Sequence, residues 1–206
     1  MPEPLTPVTL DGRHVRLEPL EVGHAEQLAA AAALDRSTFD HTWVPDGVDA
    51  MRRYIHGLLT DGDEAKVLPF AQRSVETGQL VGCTRFLDPH WSRGRTEPDE
   101  IEVGGTWLCT SAQRTGINTE AKYLLFTHAF EQLGVWRLAI CTDADNRRSR
   151  EAILRIGASF EGVLRNHRLV ANTAEPAPRQ TAVYSIVSEE WPGVKRDLEH
   201  RLAAAR

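Results

Sequence analysis

The chain has 206 residues, 41% of them hydrophobic and 26% charged, with a formal net charge of −5. This composition supplies one sizeable core and excludes a disordered polypeptide, a disulfide-stapled miniature and a nucleic-acid binder that relies on a global positive field. No apolar run approaches the roughly eighteen residues of a membrane span, and the opening Met1-Pro2-Glu3-Pro4-Leu5 lacks the basic and apolar regions of a secretory signal, so a cytoplasmic protein is expected.

In chain order, Val8 to Leu17 predicts two short strands around the turn Asp11-Gly12. An Ala-rich helix follows from about Gly23 to Leu34, and a second runs from Gly47 to Leu59, with Met51, Tyr54, Ile55 and Leu58 at spacings of three and four. Lys66 to Val75 and Gln79 to Leu87 read as strands joined at Thr77-Gly78, and Glu100 to Cys109 as another after the polar loop Pro89 to Glu100. Thr119 to Leu133 places Ala121, Leu125, Ala129 and Leu133 on one stripe, with Gly134 as its stop. Val135 to Thr142 is a strand, Arg148 to Ile156 a short helix ending at Gly157, and Ser159 to Val170 and Gln180 to Val187 two further strands around the polar stretch Asn172 to Arg179. A last helix, from about Glu189 to Ala205, carries Trp191, Val194, Leu198 and Leu202 on one side. The sum is one α/β (α+β) domain over residues 1–206, with its core at about 8–202.

The most informative stretch is Gln113-Arg114-Thr115-Gly116-Ile117-Asn118-Thr119, between a strand and the strongest helix. Backbone N–H groups at such a helix start attract an anion, with the positive end of the helix dipole behind them. Gly116 permits a positive φ and close approach of a phosphate, and Asn118 or Thr119 can cap the helix. A capped helix after an ordinary turn is the bland alternative. A Rossmann dinucleotide site fails, because the loop has one Gly where that fingerprint needs three.

The neighbouring stretches give this loop a context. They are Ile101-Glu102-Val103-Gly104, Thr106-Trp107-Leu108, Thr115-Gly116-Ile117-Asn118-Thr119-Glu120-Ala121-Lys122, His128-Ala129-Phe130, Thr142-Asp143-Ala144-Asp145-Asn146, Gly157-Ala158, Glu161-Gly162-Val163-Leu164-Arg165 and Tyr184-Ser185-Ile186. In this order they resemble the GNAT acetyltransferase superfamily, and within it the RimJ/RimL-type ribosomal-protein N-acetyltransferases. The resemblance implies a central mixed, mostly antiparallel sheet flanked by helices, with strands splayed at an acetyl-CoA site. It also implies direct attack by an amine, without a covalent acyl-enzyme. Asn118 stands where the superfamily usually has Gly or Ala, in agreement with that branch.

Glu102 is the candidate general base, directly or through a water: a carboxylate in an otherwise apolar strand. A substrate-amine binder, or a solvent-facing member of an acidic rim with Asp99 and Glu100, are its alternatives. By resemblance, Trp107, Leu108 and Cys109 expose backbone groups to the pantetheine arm, and Trp107 can equally be plain core. By resemblance Asn146 contacts the cofactor and Ser149 lies near the sulfur, where its hydroxyl can protonate the thiolate; Asn146 also reads as an N-cap. Arg114, Arg147, Arg148 and Arg150 are candidates for the coenzyme A phosphates, alongside Gln113 and the loop.

Phe39, His41, Trp43, His90, Trp91 and His167 lie on or near loops expected to flank the acceptor. Related enzymes also use a carboxylate on the strand after Gly162, where this chain reads Arg165-Asn166-His167-Arg168. Cys83, Cys109 and Cys141 read as buried free thiols, with Cys109 the one nearest the cofactor strand. No His or Cys spacing indicates a metal. The expected function is N-acetylation of a primary amine, on a protein N-terminus or a small molecule, with the acidic stretch Glu97 to Glu102 fitting a cationic acceptor. A homodimer is expected, and no nucleic-acid or membrane partner. A non-catalytic acetyl-CoA-binding module is the alternative.

Overall fold

The computed structural model describes residues 3–170 and 177–204. Its strands are β1 (Leu10–Asp11), β2 (Val15–Pro19), β3 (Val67–Ser74), β4 (Leu80–His90), β5 (Glu100–Leu108), β6 (Arg137–Asp143), β7 (Ser159–Leu169) and β8 (Pro178–Val187). The helices are α1 (Ala25–Ala33), α2 (Val48–Asp63), α3 (Gly116–Thr127), α4 (Arg147–Arg155) and α5 (Trp191–Ala204). Every element read from the sequence is present, within a few residues at the ends. Asn172 to Pro176 and Ala205 lie outside the described residues.

The strands form one sheet in the order β1-β2-β3-β4-β5-β6-β8-β7. Every pairing is antiparallel except β5 with β6, which is parallel. The sheet is thus mixed and mostly antiparallel, as the resemblance implied. Period-two alternation gives it two apolar faces. Ile101 and Val103 point into a core shared with Leu125 and Phe126 of α3 and Leu198 of α5. Cys83 and Trp107 point the other way, against Leu28 of α1 and Met51 and Ile55 of α2. The Trp-bearing helix locks on by aromatic packing: Trp191 stacks on Phe130 at 5.2 Å and meets Phe126 edge-on at 6.3 Å.

The β5–β6 pair positions the site. It registers only Glu100 with Arg137, Ile101 with Leu138 and Glu102 with Ala139. Beyond Glu102 both strands continue, β5 to Leu108 and β6 to Asp143, without pairing. The sheet therefore opens into a wedge toward the C-terminal ends of the two strands. Gly105, at φ 55°, bends β5 within the open part.

The helix after β5 begins three residues earlier than expected. Thr115 is its cap, its hydroxyl accepting from Ile117 N at 3.2 Å, so Asn118 and Thr119 lie inside the first turn rather than capping it. The positive φ expected of Gly116 sits two residues earlier, on Arg114 at 60°. Gly116 answers a different demand: a Cβ there would stand 2.8 Å from His14 Cδ2, so the missing side chain makes room for the β1–β2 hairpin. After Thr127 the helix widens into a π-helical segment, His128–Leu133, and stops at Gly134 in the left-handed region (φ 63°), as expected.

Candidate active site

Because β5 and β6 run parallel, their C-terminal ends deliver the next two helices to the same place. The N-termini of α3 and α4 both lie at the wedge mouth, where helix dipoles and the first-turn N–H groups not taken by caps and turns favour phosphate. Gln113 closes the mouth, donating from Nε2 to Leu108 O (2.9 Å) and accepting from Arg148 Nη2 at Oε1 (2.6 Å). The loop after β5 and the first turn of α4, 35 residues apart in sequence, thus meet. Thr115, Gly116, Ile117, Asn118 and Thr119 form the first turn of α3 and its cap.

Trp107, Leu108 and Cys109 turn their side chains away from the wedge. Trp107 is buried against Phe39 (edge-on, 5.9 Å), Leu108 is core, and the buried Cys109 Sγ lies 3.3 Å from Ser111 Oγ. The core reading holds for these side chains, and part of their main chain is spent as well: Cys109 N donates to Val81 O (2.8 Å), Trp107 O accepts from Gln72 Nε2 (3.3 Å) and Leu108 O from Gln113. Asn146 is the N-cap of α4, its Oδ1 accepting from Ser149 N at 3.0 Å. Ser149 is half-buried in that first turn, and its hydroxyl has no hydrogen-bond partner among the described residues.

Arg114 and Arg147 are exposed at the mouth, but Arg150 is not available to a phosphate. It donates to Tyr184 Oη at 2.9 Å and Ala144 O at 3.1 Å and lies over the Phe160 ring, so it fastens α4 to the sheet.

Glu102 is the last β5 residue in register with β6 and marks the apex of the wedge. It pairs with Leu87 across β4, which places it on the sheet face covered by α1 and α2. The carboxylate is buried and held by the Arg168 fork, with Oε1 at 3.2 Å from Nη1 and Oε2 at 2.9 Å from Nη2. It lies over Gly104, where a Cβ would stand 3.0 Å from Oε1. Arg168 belongs to the stretch Arg165-Asn166-His167-Arg168, where the resemblance led to a carboxylate being expected. Glu102 and Asp88 raise its pKa against the opposing effect of burial.

The alternative of a solvent-facing acidic rim does not hold. Asp99 is buried, accepting from Ser92 N (2.6 Å), Arg93 N (2.7 Å) and the Arg93 guanidinium; Glu100 pairs with Arg137 (3.1 Å) and Glu102 with Arg168. Each carboxylate is neutralised by its own arginine, which removes the support this stretch gave to a cationic acceptor.

Among the cysteines, Cys83 and Cys109 are buried as expected, whereas Cys141 is half-buried on the wedge strand and faces Glu102. Burial first, and then the Glu102 charge, push its thiol up to about 12, so it stays protonated at neutral pH. Of the aromatic and His residues expected near the acceptor, Phe39 is core, Trp91 bonds back to its own loop at Thr96 O (3.0 Å), and Trp43 packs on Tyr54 at 5.6 Å. His41, His90 and His167 are exposed.

Two buried charges escaped the sequence reading. Glu120 of α3 accepts from Arg13 N (2.9 Å), His14 N (2.5 Å) and Val15 N (2.9 Å), tying the β1–β2 hairpin to the cofactor-side helix. Lys122, two residues on, is buried with no carboxylate partner among the described residues and donates to Thr106 Oγ1 (2.7 Å) and Thr84 Oγ1 (3.5 Å). Burial lowers its pKa to about 7. Among the described residues, no three His, Cys, Asp or Glu side chains gather as for a metal ion, and no helix is long and apolar enough to cross a membrane.

The model of the acetyltransferase (GNAT) domain matches residues 14–159, and the chain belongs to that family. It is 35% identical over 91 residues to a Bacillus subtilis (strain 168) protein named as a ribosomal N-acetyltransferase, YdaF; the match covers 44% of this chain and 48% of that one. The match thus spans about half the length of that relative. A crystal structure from T. thermophilus, named as an acetyltransferase, superposes with a TM-score of 0.81 at 33% identity, covering 96% of this chain and 98% of the other. Mycobacterium smegmatis RimJ in complex with CoA-disulfide shares the fold, with a TM-score of 0.79 at 20% identity over 97% of each chain.

Proposed function

We propose that the protein transfers the acetyl group of acetyl-CoA directly to a primary amine, on a protein N-terminus or a small molecule. The observation that carries this reading is the position of Glu102: a buried carboxylate at the last registered pair of the wedge, on the opposite face from the α3 core. The fit to acetyl-CoA rests on the wedge itself. Its unpaired β5 main chain suits the amides of a pantetheine arm, and the N-termini of α3 and α4 suit its phosphates. The relatives' names, with a CoA adduct in one of them, agree.

When bound, acetyl-CoA supplies a thioester carbonyl open to nucleophilic attack. The protein's part is positional and protonic. Glu102, held by Arg168, accepts a proton from the amine directly or through a water. Main-chain N–H groups of β5 in the open wedge polarise the carbonyl. The N–C bond forms as the C–S bond breaks, and the free Ser149 hydroxyl donates a proton to the departing sulfur. Gln113, Arg114, Arg148 and residues 115–119 hold the phosphates, and Asn146 shapes the α4 terminus beneath them.

A CoA-release assay on a panel of amines, with acetyl-CoA affinity measured in parallel, tests the reading. Turnover on at least one amine is the expected result. Tight acetyl-CoA binding without turnover on any amine would make the chain a cofactor-binding module instead. The reading extends to a cytoplasmic homodimer that binds no nucleic acid; a monomer mass by light scattering at micromolar concentration would overturn the dimer.

A further inference from the structure

Arg168 and Arg179 stand directly opposite each other in the β7–β8 register. Like charges paired across strands repel, so this arrangement calls for anions. Arg168 has two of them, Glu102 Oε2 and Asp88 Oδ2, each 2.9 Å from its Nη2. Arg179 has no carboxylate within 4 Å among the described residues. Its Nε and Nη2 both donate to one hydroxyl oxygen, Thr181 Oγ1, at 3.2 and 3.1 Å. It is half-buried, and burial, followed by the charge of Arg168, lowers its pKa; Asp143, Cys141 and Glu102 oppose that effect from further away. Directly opposed residues share one face of the strand pair, so Arg179 stands on the same face as Arg168, the residue that holds Glu102. A planar fork with most of its donors unspent, flanked by a second cation, is complementary to an oxyanion.

We propose that Arg179 receives a carboxylate or phosphate of the acceptor, so that the amine presented to Glu102 belongs to a molecule carrying an oxyanion beside its amino group. The inference rests on Glu102 being the acceptor-side carboxylate. It reverses the charge preference that the acidic stretch Glu97 to Glu102 had indicated. It names α-amino acids, their phosphorylated relatives and peptides with an acidic group near the N-terminus as the acceptor class, and it disfavours polyamines. Glu102 and Arg179 then meet the opposite pair of charges on the acceptor, the amino group toward Glu102 and the oxyanion toward Arg179.

The test uses the full chain and two matched acceptor pairs, O-phosphoethanolamine with ethanolamine and glycine with glycinamide. In the wild type the anionic members are expected to be preferred, and the two pairs distinguish phosphate from carboxylate. Arg179→Met is expected to lower kcat/KM for the anionic member about tenfold or more, mainly through KM, while Arg179→Lys recovers part of the loss. Equal effects on both members of each pair, or no anionic preference in the wild type, overturn the proposal. Calorimetric binding of O-phosphoethanolamine or glycine, weakened in a folded Arg179→Met variant, supports the anion site even without turnover; binding of neither overturns it. Absence of CoA release with every acceptor, with this binding intact, removes the acetyl-transfer reading alone.

Discussion

The mouth of the wedge and its apex are built in different ways. At the mouth the groups are main-chain N–H donors, capping side chains, the amide of Gln113 and the arginines Arg114, Arg147 and Arg148, all from two short loops and the turns that follow them. At the apex they are charged side chains from β4, β5, β7 and β8, joined across 66 residues by Glu102–Arg168 and across 80 by Asp88–Arg168. In the proposed function the mouth binds one invariant ligand, largely through main-chain and capping geometry that many sequences satisfy. The apex depends on the identity of each residue, as the proposed choice among acceptors requires.

The largest effect that would break this contrast is at the apex. Glu102→Gln is expected to lower kcat/KM by roughly 10²–10⁴-fold, to abolish the acidic limb of the pH–rate profile and to leave acetyl-CoA affinity intact. Full activity with an unchanged profile would mean that the amine loses its proton to solvent. Gly104→Ala comes next. Its Cβ would stand 3.0 Å from both Glu102 Oε1 and Leu87 Cδ2, so the carboxylate must shift, at a cost of roughly 10-fold or more in kcat. Steady-state kinetics at saturating acetyl-CoA checks this, and an unchanged kcat would remove Glu102 placement from the mechanism.

At the mouth the signature is expected in binding instead. Gly116→Val drives a branched side chain into His14 and is expected to weaken acetyl-CoA binding by about 1–3 kcal/mol, the usual cost of overpacking, with kcat retained at saturation. Calorimetry showing wild-type affinity in the folded variant would separate this loop from the cofactor. The smallest effect is Thr115→Ala, which removes the α3 cap and is expected to cost about 1 kcal/mol of stability in denaturant unfolding.

The same contrast decides what could be read from the chain. The helices with clear stripes, such as Met51-Ile55-Leu58 and Trp191-Val194-Leu198, and the stop at Gly134 are local signals, and the structure has them where the pattern puts them. Asn146 as an N-cap was equally local. Thr115 was passed over as the α3 cap because Asn118 and Thr119, also good capping residues, follow within four positions. Nothing near Glu102 announces Arg168, and nothing near Glu120 announces a hairpin 105 residues and more away. The four arginines read as phosphate candidates looked alike in sequence, yet Arg150 fastens α4 to the sheet, Arg148 meets Gln113, and Arg114 and Arg147 are exposed.

Lys122 ties the cofactor-side helix to the solvent proton concentration. Its amine carries a pKa of about 7 in the fold against an ordinary 10.5, so between these values the unfolded chain binds a proton that the native one does not. Stability must therefore rise with pH from about 7 upward. Above about 9 the sign turns, because Cys83, Cys141 and Tyr54, each at about 12 in the fold, keep protons that the unfolded chain releases. The protein is expected to resist urea best near pH 9, and Lys122→Met should flatten the rise from pH 7 to 9 while leaving the fall above it. The helix proposed to receive the polyanionic end of acetyl-CoA thus carries a buried amine whose charge is set by pH near neutrality.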